Sequence, residues 1–288
     1  MRARLLTFLF MLSAGWGQAE IRIVGSDLLG PGLPAMLQAY AQSNELSLGS
    51  TFEGSYAGWR ELAAQRAEIA LLSFAPGEAL PVAPYHCVPL AYHTAVVLVP
   101  DALPLTQITY GQLAGIFGGT ERASLSRWGE LGVTGEGMAR AISPHTLSAK
   151  AGLALMIFRH EVMQARALKP GVSEHDTAGQ LLQRLAVEEG GIALAAKLPP
   201  EARQVKALYV AIDDRAVAYA PTPENLQRGD YPLRWPVYLV FRRADAARLY
   251  GVLRYLLGDE VARQLENAGL TPVPAAVRNE QIFGLEQL

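Results

Sequence analysis

The sequence is short of cysteine, of net charge and of long hydrophobic runs. Its one cysteine, Cys87, excludes an intrachain disulfide and a metal site built from several cysteines. A net charge of −2 argues against a nucleic-acid-binding protein, which would carry a basic balance. Charged residues make up 18% of the 288 residues and hydrophobic residues 50%, a composition that excludes a disordered chain. At roughly 150 residues per domain, this length predicts about two domains.

The first nineteen residues have the pattern of a secretory signal peptide. Arg2 and Arg4 form a basic start, and the apolar residues 5–14 follow. Small residues then predict cleavage after Ala19 and a periplasmic mature protein. An N-terminal membrane anchor is the alternative, but this apolar run is shorter than the ~20 residues that span a bilayer, and no membrane span is expected after signal removal. In that oxidising compartment we expect the unpaired Cys87 to be buried.

Strands and helices alternate along the rest of the chain. The spacing of Leu33, Leu37 and Tyr40 predicts one apolar face of a helix. Thr109 followed by Gln112 predicts a capping box at the start of another helix. Strands that alternate with helices of this length indicate an α/β protein with mainly parallel sheets.

Four serines stand where predicted strands end or helices begin. They are Ser26, Ser55, Ser73 and Ser148. Helix N-termini offer free backbone N–H groups and a positive dipole end, and ligands of open α/β sheets bind at the carboxyl ends of strands. We therefore expect the four hydroxyls to converge on one cleft that holds an oxyanion. The alternative is that each serine only caps a helix.

Several short motifs follow one another in a fixed order. Gly-Ser turns close the segments 23–27 and 52–55, and an acid, apolar residues and a serine follow at 68–73. Residues 105–119, continued by 127–132, contain the pattern T-x-x-Q-L-x-x-I-F-x-G … W-x-x-L-G. Together these motifs resemble the phosphate-type periplasmic solute-binding proteins of ABC transporters.

The resemblance implies a two-lobed type II periplasmic-binding-protein fold, in which each lobe is a mainly parallel sheet flanked by helices. Lobe 1 would comprise residues 20–94 and 238–288, and lobe 2 residues 95–237. Two crossover strands would form the hinge, and closure would bury the ligand between the lobes. We expect a monomer that is not an enzyme, needs no cofactor or metal, and binds no nucleic acid.

The resemblance also implies a set of ligand-binding residues, namely Ser26, Asp27, Ser55, Glu68, Ser73, Ser148 and Lys150. In the family, an acid at the position of Glu68 accepts a hydrogen bond from the proton of hydrogen phosphate. An ionised carboxylate has no donor, so it requires a donor on the ligand. The family's segment R-x-x-x-S-G-T aligns with residues 144–150, where Pro144, Ala149 and Lys150 replace its arginine, glycine and threonine. Loss of the arginine removes a bidentate anion contact, and Lys150 would restore only a point charge.

These departures leave two functions open. The first is an exported soluble protein that captures phosphate or a similar small oxyanion for an ABC permease. The second is a degenerate module of the cell envelope, with another ligand or a protein partner, that serves sensing or scaffolding and binds no phosphate. A dinucleotide enzyme is disfavoured, since Pro31 and Pro34 interrupt the loosely matching Gly-rich segment 30–35.

Overall fold

The computed structural model describes residues 20–118, 124–200 and 202–288, in which helices flank two main β-sheets. The predicted signal peptide, residues 1–19, and its cleavage site lie outside this part of the chain. No helix in the described residues is both long and apolar enough to cross a membrane. We call the larger sheet with its helices lobe 1, and the smaller sheet with its helices lobe 2.

Lobe 1 is built on a six-stranded sheet with helices on both faces. Leu33 and Leu37, predicted to face inward, are fully buried in its main core. In spatial order the strands are β13 (Thr271–Pro272), β4 (Tyr85–Thr94), β12 (Arg234–Arg242), β3 (Ile69–Ser73), β1 (Ile21–Gly25) and β2 (Leu48–Phe52). The helices are α1 (Gly32–Ser43), α2 (Ser55–Ala63), α7 (Ala246–Leu256), α8 (Asp259–Asn267) and α9 (Ala275–Leu285).

Lobe 2 is built on a five-stranded sheet, with a small two-stranded sheet beside it. The predicted capping box is confirmed, because Thr109 Oγ1 accepts from the Gln112 N–H at 3.3 Å and Gln112 Oε1 accepts from the Thr109 N–H at 2.9 Å. The five strands, in spatial order, are β10 (Val205–Ala207), β5 (Val96–Pro100), β9 (Gly191–Ala195), β7 (Ser143–Leu147) and β8 (Ser173–His175); the small sheet pairs β11 (Tyr209–Ala211) with β6 (Gln107–Thr109). The helices are α3 (Tyr110–Phe117), α4 (Ala154–Glu161), α5 (Ala178–Val187) and α6 (Pro223–Arg228).

Both main sheets are mixed, whereas the sequence predicts mainly parallel ones. Strand β1 pairs in parallel with β2 and β3, and β7 pairs in parallel with β8 and β9. Strands β5 and β12 pair antiparallel with their neighbours. The chain leaves lobe 1 at Ala95 and enters β5 from the side where β7 and β9 end, so β5 has to run the opposite way.

The return strand β12 lies wholly in the larger sheet. Its residues 234–237 pair with β4 or β3, although the predicted lobe boundary assigns them to lobe 2. Like β5, it enters its sheet from the end at which β3 stops, since Val237 pairs with Ser73 and Phe241 with Ile69. The remaining lobe boundaries stay predictions.

Cys87 lies in β4 and is partly buried. Its thiol donates to the carbonyl of Pro81 with an Sγ–O distance of 3.3 Å. Burial raises the pKa of this thiol to about 11, so the reactive thiolate is scarce at pH 8 and increases only as the pH rises towards that value.

Alkylation of Cys87 by iodoacetamide at pH 8 is therefore expected to be roughly a hundredfold slower in the folded protein than in the chain unfolded by guanidinium. The rate of mass increase in a mass spectrometer measures this directly. Equal rates in the folded and unfolded chains would contradict a raised thiol pKa.

Candidate functional site

A cavity of about 550 Å³ lies between the lobes, a size typical of small-molecule sites. Lobe 1 contributes residues 27–31, with the exception of Leu29, from the turn between β1 and α1, and residues 267–269 at the C-terminal end of α8. Lobe 2 contributes residues that follow the ends of β7, β8 and β9, including 150–154 and 176–178. The cavity therefore lies at the carboxyl ends of parallel strands of both sheets, where open α/β sheets bind ligands.

A larger cavity, of about 690 Å³, opens elsewhere between the lobes. It is lined by residues of α8, by 270–275 and by 221–224. The carboxyl ends of β1, β3, β7 and β8 do not contribute to its lining. Position in the fold thus favours the smaller cavity, which we call the interlobe cavity, as the candidate site.

Four charged side chains line the interlobe cavity, and two of them are engaged within the protein. Asp176 accepts a hydrogen bond from the Ser148 hydroxyl at 2.8 Å. Lys197 Nζ donates to the carbonyl of Glu266 across the lobes, also at 2.8 Å. Asp27 on lobe 1 and Lys150 on lobe 2 have no side-chain hydrogen bond or ion pair with the described residues. Both are therefore free to contact a solute, while Asp176 and Lys197 keep their charges because their hydrogen-bond partners are neutral.

Helices α4 and α5 begin at the lobe 2 wall of the cavity. Helix α4 has no side-chain cap, and the Thr177 hydroxyl caps α5 by accepting from the Gln180 N–H at 3.2 Å. The first N–H groups of a helix and its dipole favour negative charge. Together with Lys150, they make this wall of the cavity electropositive.

His93 reaches the cavity from the end of β4 and is only 7% exposed. Its Nε2 has no hydrogen-bond partner among the described residues. Burial lowers the pKa of the imidazole to about 4, so the ring is neutral at pH 7 and carries one donor and one acceptor nitrogen. The adjacent Thr94 hydroxyl donates to the Ala196 carbonyl of lobe 2, which joins the two sheets beside His93.

None of the four predicted serines is part of the lining of the interlobe cavity, and their convergence on one cleft stays a prediction. Ser26 Oγ accepts from the Leu28 N–H at 3.3 Å, and Ser55 Oγ accepts from the Ser73 N–H at 2.8 Å. Ser73 Oγ is buried without a partner in the described residues. Ser26 and Ser55 thus act as acceptors for backbone N–H groups, whereas Ser148 donates its hydroxyl to Asp176.

Glu68 lies at the wrong end of its strand for the predicted role. It precedes β3, whereas Ser73 ends that strand on the side of the cavity. Its Oε2 accepts from the backbone N–H of Arg22 at 2.7 Å, which fixes the start of β3 against β1. The carboxylate therefore holds two strands together and is not available to a solute between the lobes.

Gly25 explains why the first turn needs a glycine. It ends β1 with a positive φ of 155°, and a Cβ at this position would overlap the carbonyl oxygen of Leu71 in β3. The next residue, Ser26, donates its N–H to the same oxygen at 2.9 Å. This close approach places Asp27 at the mouth of the cavity.

Of the predicted site residues, only Asp27 and Lys150 line the cavity. Sequence reasoning missed His93, Thr94, the start of α5 and the end of α8. The one available signal for His93 and Thr94 was their place at the predicted crossover, since strands that pass between lobes run beside the cleft.

A family model described as a PBP superfamily domain matches residues 13–260. A search of curated proteins found no match. Among solved structures, a possible phosphate binding protein from Planctomyces limnophilus has a TM-score of 0.69 at 18% identity, over 93% of this chain and 98% of that one. An ABC-type phosphate transport receptor from Vibrio cholerae has a TM-score of 0.62 at 19% identity, over 87% and 99%. PstS from Borrelia burgdorferi has a TM-score of 0.69 at 16% identity, over 89% and 100%.

Proposed function

Because this chain belongs to the PBP superfamily, we propose that it is an exported binding protein whose two lobes capture a small solute in the interlobe cavity. The family resemblance and the two-lobed α/β fold predicted from the sequence are confirmed. The family is one of substrate-binding proteins rather than enzymes. Periplasmic localisation after cleavage at Ala19, the monomeric state and delivery to an ABC permease belong to the same proposal.

The observation that carries the proposal is the composition of the cavity wall. Both lobes contribute to it, and each contributes one charged side chain, Asp27 or Lys150, without a side-chain partner in the described residues. A solute that contacts both walls binds more tightly when the lobes are close together, so binding favours closure. A pocket confined to one lobe would not couple binding to such a movement.

High-affinity phosphate binding is not favoured by this site. The Ser148 hydroxyl donates to Asp176, and Pro144 supplies no guanidinium where the family has an arginine. Lys150 and the two helix N-termini still favour a negatively charged group on the solute. We therefore keep an anionic group, and not phosphate itself, as part of the proposed ligand.

A groove on lobe 1 supports the second function, a module that docks another envelope protein. It is lined by apolar side chains that include Tyr56 and Val82, which are 61% and 78% exposed, together with Trp59 and Leu80. Exposed apolar patches mark interaction surfaces. This alternative predicts that no small solute changes the shape or the thermal stability of the protein.

Lys150→Ala is expected to weaken binding of an anionic solute by about tenfold, because one charge-assisted contact is lost. The mature chain is first screened by thermal shift against phosphate, sulfate, carboxylates and amino acids, since a solute that binds only the folded state raises the melting temperature. Calorimetry with the best solute then gives the dissociation constants of the wild type and the variant.

Arg159→Ala is the matched control, because Arg159 is an exposed cation without a side-chain partner among the described residues, on α4 but away from the cavity.

Small-angle scattering should show a smaller radius of gyration when the solute is present. An unchanged radius with every solute in the screen would reject solute capture and leave the docking module.

A further inference from the structure

The two walls of the interlobe cavity differ in electrostatic character. Lobe 2 presents Lys150 and the N-termini of α4 and α5, all of which favour negative charge. Lobe 1 presents Asp27 and the residues 267–269 that close the C-terminal end of α8, where a helix favours positive charge. The other two charged residues of the lining, Asp176 and Lys197, both lie on lobe 2 and are opposite in sign, so they leave the net positive charge of that wall unchanged.

A fully ionised oxyanion complements the charge of only one wall of this cavity. Its negative charge would be attracted to lobe 2, but a carboxylate such as Asp27 accepts hydrogen bonds and repels an anion that has no donor. A solute with an ammonium group at the other end would satisfy both walls at once. The charge arrangement therefore calls for a zwitterion that spans the cavity.

Apolar side chains form much of the rest of the lining. Leu28 and Pro31 belong to lobe 1, and Leu147, Leu153 and Ala178 to lobe 2. A cavity of about 550 Å³ with such walls accommodates an organic side chain as well as two charged groups. An inorganic anion would leave these apolar surfaces uncovered.

His93 is the buried polar group that still lacks a partner at this site. It is 7% exposed, lines the cavity and has an unpaired Nε2 in the described part of the chain. Buried polar groups in proteins are normally hydrogen-bonded, so an unpaired one in a binding cavity points to a ligand. As a neutral ring, the imidazole donates or accepts a hydrogen bond without adding charge.

We infer that the solute is a small amino acid-like zwitterion with an apolar side chain, an inference that rests on the proposed solute-binding function. Its ammonium group pairs with Asp27, and its carboxylate faces Lys150 and the N-termini of α4 and α5. Its side chain covers the apolar lining, and His93 supplies a further hydrogen bond that sets specificity.

The experiment is a thermal-shift and calorimetry screen of the mature chain. The probes are the twenty standard amino acids, inorganic phosphate, and two analogues of leucine that each lack one charge, 4-methylpentanoate and 3-methylbutylamine. We expect at least one amino acid with an apolar side chain to raise the melting temperature. Its affinity should be at least about tenfold higher than that of either analogue with only one charge.

Two variants assign the contacts. Asp27→Asn should weaken the amino acid by about tenfold, because the ammonium contact is lost, and should not weaken its des-amino analogue, because an anion loses only the repulsion of Asp27. His93→Leu should weaken the amino acid as well. The controls are Asp101→Asn, an exposed acid away from the cavity, and His86→Leu, at the far end of β4. Neither control should change the affinity.

The outcomes separate this inference from the function on which it rests. If phosphate or a plain carboxylate causes closure and no amino acid does, the inference is overturned and solute capture stands. If an amino acid binds equally to the wild type and to Asp27→Asn, the assignment of the ammonium contact is overturned. If no probe changes the melting temperature or the radius of gyration, both proposals are rejected.

Discussion

Replacing Trp128 by alanine is expected to lower the free energy of unfolding by about 3–5 kcal/mol, the range for large aromatic residues removed from a core. Trp128 has no exposed surface, and it packs in the main core of lobe 2. Its indole Nε1 donates to the carbonyl of Gly190 at 3.2 Å, so alanine leaves a void and removes one of the two hydrogen bonds that this carbonyl accepts, the other coming from the Ser143 N–H at 2.9 Å. Urea unfolding monitored by circular dichroism measures the loss.

Two further variants serve as comparisons for Trp128→Ala. Trp128→Phe keeps most of the apolar volume and removes the hydrogen bond, so its loss should be clearly smaller. Trp59→Ala removes a partly buried tryptophan of lobe 1 that packs edge-on against Tyr85, with 4.9 Å between the ring centroids. Its loss of unfolding free energy should also be smaller than that of Trp128→Ala. Equal losses for Trp128→Ala and Trp59→Ala would contradict the role of Trp128 as a core residue.

Replacing Ala178 by tryptophan is expected to abolish solute binding, or to weaken it by about a hundredfold or more, while the fold stays intact. Ala178 is exposed at the first position of α5 and lines the interlobe cavity. A tryptophan there would fill the space between the lobes without entering the core of lobe 2. Calorimetry with the solute identified by the thermal-shift screen measures the loss.

Ala186→Trp is the matched control, because Ala186 is exposed near the other end of the same helix and does not line the cavity. It should bind the solute as tightly as the wild type. Equal binding by both tryptophan variants would place the solute outside the interlobe cavity.

The local features of the fold were predictable because their signals lie within a few residues of each other. The capping box of Thr109 and Gln112 depends on residues three positions apart, and the apolar face of Leu33 and Leu37 follows from helical periodicity. The direction of β5 and β12 depends on where the chain crosses between the lobes. That is a long-range property, and the expectation of mainly parallel sheets did not include it.

The candidate site was predictable only where a residue lies two or three positions beyond a strand that ends at the cavity. Asp27 follows β1, and Lys150 lies three residues beyond β7. The sequence also does not reveal that a serine oxygen accepts from a backbone N–H far along the chain, as Ser55 Oγ does from Ser73 eighteen residues later. Glu68 was misplaced because the motif gave its order relative to β3 and not the end of the sheet that faces the ligand.

His93 was missed because nothing in the sequence separates it from a histidine packed in a core. It lies in β4 among buried residues, and only the three-dimensional structure reveals its unpaired nitrogen beside a cavity. Satisfaction of buried polar groups is a tertiary property, so it adds information that periodicity and motifs do not contain.

A crystal structure of the mature chain, grown with the solute that most raises its melting temperature, tests the central claim most directly. We predict electron density for the solute in the interlobe cavity, in contact with Asp27 on one lobe and with Lys150 on the other. Density for the solute beside Ser55 and Ser73 would contradict the account. Density in the larger cavity near Arg278, or density in contact with one lobe alone, would also contradict it.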